Sequence, residues 1–140
     1  MNLERAIQIA VEAHAGAKDK GGKPYILHPI NVMMRLETEE EQIVAILHDV
    51  VEDTDWTFEA LSEEGFPRNI IEALRTITKH SQDEDYEEFI KRSLNNEIGR
   101  KVKIADLKEN LDITRIGELE KKDVKRINKY KRALEVLMNK

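Results

Sequence analysis

Four ionisable side chains stand within six residues, at His48, Asp49, Glu52 and Asp53. Residues four apart share one face of an α-helix, so a helix through this stretch places all four on one polar strip. An imidazole nitrogen beside an anionic carboxylate oxygen is a typical ligand pair for Mn²⁺, Fe²⁺ or Zn²⁺. The stretch therefore predicts a metal site. The alternative is a solvated helix end whose histidine is satisfied by an ordinary hydrogen bond.

The apolar run at residues 43–47 directly precedes this cluster, and Val50 and Val51 lie within it. These neighbours predict that the cluster lies at the edge of the core. Burying several carboxylates together is costly unless a cation compensates them. The position therefore favours a metal site, provided that other segments supply further ligands.

Two further segments carry candidate ligands, His28 and Asp106. Pro29 disfavours helix at His28 and is a good first helical residue, so His28 is expected at a rigid helix start. Asp106 stands four residues before Asn110 and shares its predicted helix face with Val102. The alternatives are a structural histidine and an aspartate paired with a lysine. We interpret His80, in a polar stretch, as solvent-exposed.

The elements that must position these residues are predicted to be helices. Asn2 can cap a first helix with Leu3, Ile7, Ala10 and Val11 on its apolar face, and a Thr38–Glu41 capping box opens the helix that leads into His48. Further helices are expected at about residues 30–36, 57–64, 67–77, 86–94, 97–110 and 123–138, the last with Val124 and Leu137 inward. No segment alternates as a strand does. The pattern predicts an all-α, single-domain helical bundle over residues 1–140, with seven or eight helices.

Composition narrows the function classes. The chain has 23 Lys and Arg against 28 Asp and Glu, a net charge of −5, which argues against a nucleic-acid or membrane-surface binder. It has no cysteine, so any metal must use His, Asp, Glu, backbone or water. No apolar run resembles a signal sequence or a membrane span, and we expect a cytoplasmic location.

At this point the sequence resembles a known family. The order His28, then His48-Asp49, then Asp106 matches the signature of HD-domain metal-dependent phosphohydrolases. More narrowly, it resembles the hydrolase domain of the Rel/SpoT proteins and the small stand-alone alarmone hydrolases of the stringent response. The matching segments span residues 4–116 and are AHAG at 13–16, GKPYILHP at 22–29, LHDVVEDT at 47–54, TITK at 76–79, and KIAD at 103–106 with Asn110.

The resemblance implies a fold, an activity and a set of residue roles. It implies the HD-domain fold and hydrolysis of the 3′-pyrophosphate of guanosine tetra- or pentaphosphate, (p)ppGpp. It implies Mn²⁺, or another divalent ion such as Fe²⁺, Co²⁺ or Zn²⁺, bound by His28, His48, Asp49 and Asp106. It also implies that Glu52 and Asp53 act on the attacking water and on the pyrophosphate. The implied substrate contacts are Asp19, Lys20, Tyr25 and Asn110, and Asn110 either contacts the substrate or supports the ligands of the metal.

Two departures from the family pattern bear on the substrate. Asp19 stands where the family usually has an arginine against the base, and Asp112 stands within a segment that usually carries cations. A highly anionic nucleotide is expected to prefer a more positive pocket. Three hypotheses follow: an alarmone hydrolase, a hydrolase of another nucleotide or phosphate ester, and a metal-binding regulatory module without turnover. The pair Glu52-Asp53 argues against the third, because a purely structural metal site does not need these residues.

Overall fold

The computed structural model describes residues 2–139, apart from the side chain of Arg115. This part of the chain contains α-helices and one 3-10 turn but no β-strand, so the all-α prediction is confirmed. No described helix is both long and apolar enough to cross a bilayer. The helices are α1 (Leu3–Ala13), α2 (Leu27–Met34), α3 (Glu39–Leu47), α4 (Val50–Asp53), α5 (Phe58–Glu63), α6 (Arg68–Thr76), α7 (Tyr86–Ser93), α8 (Glu97–Asn110) and α9 (Lys121–Met138), with the 3-10 turn at Ile113–Arg115.

Helix α3 is the central element of the fold. It begins with the predicted capping box, in which Glu41 N donates to Thr38 Oγ1 at 3.2 Å and Thr38 N donates to Glu41 Oε1 at 3.3 Å. Every residue from 43 to 47 is buried, with at most 4% of its surface exposed. The helix packs against α1, α2, α6 and α8. A helix that is apolar on all sides is stable only when neighbours cover it, and these four helices provide that cover.

The expected continuous helix through residues 48–53 is wrong. Helix α3 ends at Leu47, His48 is its C-cap, and Asp49 is the N-cap of the separate short helix α4. The carbonyl of Ala45 explains the break, because it accepts both His48 N at 3.4 Å and His48 Nδ1 at 2.5 Å. In a continuous helix this carbonyl would accept the N–H of Asp49. The break redirects the chain at the histidine and aspartate.

Helix α9 covers the other side of α8. Its buried residues include Asp123, Ala133 and Leu137, and the last two join Ile90 and Leu107 in a second apolar cluster. The expectation that Val124 faces inward is wrong, since 46% of its surface is exposed. The inward face instead runs through Asp123, whose carboxylate accepts from Glu120 N at the start of the helix.

Helix α1 requires a similar correction. Val11, expected on the apolar face, is also 46% exposed. The buried face of α1 is narrower and is formed by Ala6, Ile9 and Ala10. Two small alanines on this face allow close approach to α3, so an apolar stripe that includes Val11 is not needed.

Candidate metal centre

Four side chains from three parts of the fold meet at one point. His28 is the second residue of α2, so the expectation that Pro29 is the first residue of this helix is wrong. His48 and Asp49 form the break between α3 and α4, and Asp106 belongs to α8. Donor atoms of His28, His48 and Asp49 all lie within 4.8 Å of one another. Asp106 Oδ1 lies 2.8 Å from His28 Nε2 and 3.4 Å from His48 Nε2. Ligands of a single ion are neighbours at about 3 Å, so this spacing suits one shared cation.

The orientation of His48 leaves one nitrogen free for a ligand role. Its Nδ1–H donates to the carbonyl of Ala45 at 2.5 Å, so Nε2 is the nitrogen that faces the carboxylates and would bind a cation in place of its proton. Nε2 lies 3.2 Å from Asp49 Oδ2. Burial lowers the pKa of His48, but Asp49 and Asp106 outweigh burial and raise it to about 9. The site thus attracts positive charge at the point where a cation would replace the proton.

Asp106 has a different partner on each carboxylate oxygen. Lys103, one turn earlier on α8, donates from Nζ to Oδ2 at 2.9 Å. The histidines face Oδ1, which also accepts from Asn110 Nδ2 at 3.4 Å. Burial raises the pKa of Asp106, but Lys103 and the histidines hold it well below its usual range. Asp106 is therefore an anion that Lys103 orients toward the histidines.

Asp49 is held by an aromatic hydroxyl. Tyr25 Oη donates to Asp49 Oδ2, and burial followed by the charge of Asp49 raises the pKa of Tyr25, so the hydroxyl stays a donor. The ring of His14 packs against Tyr25 with 5.0 Å between centroids. His14 is buried, and burial lowers its pKa, so its neutral ring packs behind Tyr25. Tyr25, predicted to contact the substrate, is thus placed beside a ligand.

The predicted catalytic pair follows on α4. Glu52 is held at one oxygen, because Lys79 N donates to its Oε1 at 3.0 Å. Burial raises the pKa of Asp53, and the charges of Asp49 and Glu52 raise it further, to about 6. One carboxylate is therefore oriented by the backbone, and the other exchanges a proton near neutral pH.

The remaining predicted substrate residues lie on the loop between α1 and α2. Asp19 Oδ1 accepts from Gly21 N at 2.8 Å and from Lys23 N at 2.9 Å, which fixes the loop. Lys20 is exposed beside it. Asp112, the other departure from the family pattern, accepts from Thr114 N at 3.1 Å. Asp19 and Asp112 stand where the family usually has cations, and each accepts hydrogen bonds from the backbone of its own turn.

The donor set fits a divalent cation. Two imidazoles and two carboxylates match the preferences of Mn²⁺, Fe²⁺, Co²⁺ or Zn²⁺. Lys103 supplies one positive charge against the two carboxylates of Asp49 and Asp106. A cation in contact with both carboxylates would offset the repulsion that remains.

The alternative that Asp106 pairs with a lysine is observed, since Lys103 lies three residues before it on the same helix and donates to it. Sequence reasoning missed two other contacts that shape this centre, the hydroxyl of Tyr25 on Asp49 and the amide of Lys79 on Glu52. These two contacts join residues 24 and 27 positions apart and have no local pattern.

Comparison with known protein families gives one match over most of the chain. The sequence model of the HD domain family matches residues 6–129. A solved structure described as a metazoan ortholog of SpoT that hydrolyzes ppGpp has a TM-score of 0.74. The structural match covers 96% of this chain and 84% of the chain in that structure, at 23% sequence identity. At this identity the likeness supports the fold.

Relatives with sequence similarity are longer proteins. One from Aquifex aeolicus (strain VF5), named guanosine-3′,5′-bis(diphosphate) 3′-pyrophosphohydrolase, is 32% identical over 120 residues, 78% of this chain and 17% of that protein. A protein of the same name from Haemophilus influenzae is 39% identical over 75 residues, 51% of this chain and 11% of that protein. A probable GTP pyrophosphokinase from Mycobacterium leprae is 44% identical over 66 residues, 44% of this chain and 8% of that protein. The chain spans less than a fifth of each of these relatives.

Proposed function

Because this chain belongs to the HD domain family, we propose that it is a metal-dependent hydrolase that removes the 3′-pyrophosphate of guanosine-3′,5′-bis(diphosphate). The observation that carries the proposal is the cluster of His28, His48 and Asp49, with Asp106 in contact with both histidines, beside the carboxylates of α4. Two relatives named as 3′-pyrophosphohydrolases of this nucleotide support the substrate. Mn²⁺ is the proposed ion, with Fe²⁺, Co²⁺ and Zn²⁺ as the other ions that suit these donors.

The four ligands would hold the ion at the break between α3 and α4. When bound, a divalent cation lowers the pKa of water and polarises a phosphoryl oxygen. In the reaction the water oxygen bonds to the phosphorus attached to the ribose 3′ oxygen, and the bond between that phosphorus and the 3′ oxygen breaks. The products are pyrophosphate and a free 3′-hydroxyl, so one proton leaves the water and one reaches the 3′ oxygen.

The protein side chains supply the proton transfer and the orientation. Asp53, whose pKa in the metal-free protein is raised to about 6, is the second carboxylate of α4 and accepts the proton of the water. Glu52, held by the amide of Lys79, orients that water. Asn110 Nδ2 lies 3.4 Å from Asp106 Oδ1, so its side-chain amide can donate either to the substrate or to Asp106, a proposed ligand of the metal. Asp19 and Lys20 lie on the loop proposed to border the base.

A second candidate is a related hydrolase of another nucleotide. It is favoured by Asp19 and Asp112, which place acids where the family usually has cations. Both candidates use the same metal centre. They differ in the nucleotide that gives the highest kcat/KM.

A nucleotide panel tests the proposal. Release of phosphate and pyrophosphate is measured with guanosine and adenosine nucleotides that carry 3′-diphosphates, in Mn²⁺ and after chelation. We expect chelation to abolish pyrophosphate release from guanosine-3′,5′-bis(diphosphate). Hydrolysis of other nucleotides alone would select the second candidate, and no hydrolysis of any would overturn the enzyme assignment.

Two variants separate binding from catalysis. Asp49→Asn should lose both Mn²⁺ binding, measured by titration calorimetry, and hydrolysis. Glu52→Gln should keep Mn²⁺ affinity while kcat falls on the order of a hundredfold, a usual loss for a catalytic carboxylate. Full activity of Glu52→Gln in saturating Mn²⁺ would remove Glu52 from the mechanism.

A further inference from the structure

A second concave site lies beside the metal centre. This side cleft has a volume of about 570 Å³ and is lined by Glu52, Phe58, Arg75, Lys79 and His80, among other residues. Its walls come from α4, α5, the C-terminal end of α6 and the loop that follows α6. Glu52 borders the cleft and belongs to the same short helix that follows Asp49. Glu52 therefore lies between the side cleft and the metal centre.

The cleft has more cationic than acidic side chains. Arg75 and Lys79 face one acid, Glu52, and His80 adds an imidazole. The guanidinium of Arg75 lies 4.4 Å from the centroid of the Phe58 ring, which holds it in place and leaves its N–H edge open. Within the described residues, neither Arg75 nor Lys79 has a carboxylate partner for its side chain. A phosphate group is the ligand that an open guanidinium and an ammonium bind well.

The loop that forms one wall is fixed in advance of any ligand. Arg92 donates from Nη2 to Thr78 O at 3.0 Å and to Glu84 at 2.8 and 2.9 Å, and from Nη1 to the carbonyl of Arg75. Glu84 in turn accepts from His80 N at 2.8 Å. These bonds join both ends of the loop, and the last turn of α6, to Arg92 on α7. A site whose walls are held this way binds without a large cost for ordering.

We propose that the side cleft binds the 5′-diphosphate of the nucleotide while the 3′-diphosphate lies at the metal centre. This inference rests on the proposed function. A nucleotide with two diphosphates can place only one of them on the four ligands, so the other needs its own cationic site. The side cleft is cationic, adjoins the centre through Glu52, and is large enough for a diphosphate.

The test compares two substrates that differ only at the 5′ position. They are guanosine-3′,5′-bis(diphosphate) and guanosine 3′-diphosphate, which has no 5′ phosphate. Arg75→Gln should raise KM for the first about tenfold, the usual value of one charged hydrogen bond, with kcat unchanged. For guanosine 3′-diphosphate this variant should not change KM. Lys101→Gln, an exposed lysine outside both sites, is the matched control.

A metal-free binding measurement makes the inference independent of turnover. Guanosine 5′-diphosphate carries only the 5′ group, and calorimetry in excess chelator measures its affinity. Binding should weaken about tenfold in Arg75→Gln and stay unchanged in Lys101→Gln. If wild type hydrolyses neither substrate, the proposed function fails and this measurement alone decides the cleft.

Three outcomes would overturn the inference. One is an equal loss on both substrates in Arg75→Gln, which would indicate a structural role. Another is equal affinity of wild type and Arg75→Gln for guanosine 5′-diphosphate. In the third, Arg75→Gln has the same ratio of kcat/KM for the two substrates as wild type but is inhibited less strongly by inorganic pyrophosphate. This outcome would assign the cleft to the pyrophosphate that leaves in the reaction.

Discussion

At the residue scale, the carboxylates of the candidate metal centre differ in the donor that compensates their negative charge. Asp106 has Lys103, Asp49 has the hydroxyl of Tyr25, and Glu52 has the amide of Lys79. For Asp53 no comparable donor is found among the described residues, and its pKa is raised by burial, by Asp49 and by Glu52. It is therefore the carboxylate whose ionisation in the metal-free protein meets the most opposition.

This difference predicts a pH-dependent effect of Asp53→Asn on stability. The folded pKa of Asp53, about 6, is above its ordinary value of 3.8, so the folded state binds the proton more tightly and ionisation opposes folding. In chelator, the variant should have a higher Tm than wild type at pH 8. The difference should shrink as pH falls through about 6 and vanish near pH 4.

Thermal unfolding at pH 4, 5, 6 and 8 measures this effect. Asp55→Asn is the control: like Asp53, Asp55 is a solvent-exposed acid, and it lies two residues further along the chain. A Tm difference between Asp53→Asn and wild type that does not vary with pH would contradict the assigned repulsion. The same variant should lose hydrolysis if Asp53 accepts the proton of the water.

At the element scale, short connections place the reactive groups. The break after α3 turns His48 and Asp49 toward α2 and α8, and the loop after α6 presents an amide to Glu52. Arg92 on α7 holds that loop at the carbonyls of Arg75 and Thr78. Helix α7 is therefore linked, through this loop, to the carboxylate of Glu52, the proposed catalytic residue, which it does not touch.

Arg92→Gln should loosen this loop and lower kcat through Glu52. The change removes the ion pair of the largely buried carboxylate of Glu84, which then keeps its hydrogen bond from His80 N, at a cost of about 1–3 kcal/mol. Hydrogen exchange at residues 78–84 should accelerate. In a double-mutant cycle, Arg92→Gln should lower kcat in wild type but have little further effect in Glu52→Gln.

The control for this prediction is Arg68→Gln, whose ion pair with Glu72 is exposed. It should change neither exchange nor kcat. Additive losses in the double-mutant cycle would mean that Arg92 acts on stability alone and has no connection to Glu52.

Close contact between α6 and α8 predicts a second effect at this scale. A Cβ at Gly99 would overlap Thr76 Oγ1 and lie 3.3 Å from the carbonyl of Ala73. Gly99→Ala should therefore lower the free energy of unfolding by about 1–3 kcal/mol, the usual cost of overpacking. Denaturant unfolding measures it. Gly117→Ala, where a Cβ meets nothing within 4 Å, should be nearly neutral, and equal effects of both changes would contradict the packing argument.

At the scale of the whole molecule, the centre joins helices that are far apart in sequence. Asp106 and His28 are separated by 78 positions and meet at 2.8 Å. Helices α2, α3 and α8 also pack against one another through the main core. A cation bound by all four ligands would cross-link these helices in the folded state alone.

Mn²⁺ should therefore stabilise the whole fold. A ligand that binds only the folded state adds about 2.7 kcal/mol at a hundred times its Kd. Tm should rise with Mn²⁺ concentration, and chelator should reverse the rise. Asp49→Asn should show no such rise and Lys101→Gln a normal one. A rise of equal size in Asp49→Asn would locate the ion elsewhere.

The sequence alone determined the features that depend on near neighbours. The caps at Asn2 and Thr38, the buried run at residues 43–47 and the helical class follow from contacts three or four residues apart. The identities of His28, His48, Asp49 and Asp106 as candidate ligands came from residue type and motif. Their joint role remains a prediction that metal binding will test.

Only the tertiary structure decided the rest. The helix breaks at His48 because its side chain donates to the carbonyl of Ala45, which a continuous helix would use for a backbone hydrogen bond. Helix propensities of single residues do not include this competition between side chain and backbone. Val11 and Val124 are apolar yet exposed, because neighbouring helices contact a different face of α1 and α9. The contacts of Tyr25 with Asp49 and of Lys79 with Glu52 join distant segments, and such pairs form only once the helices have packed.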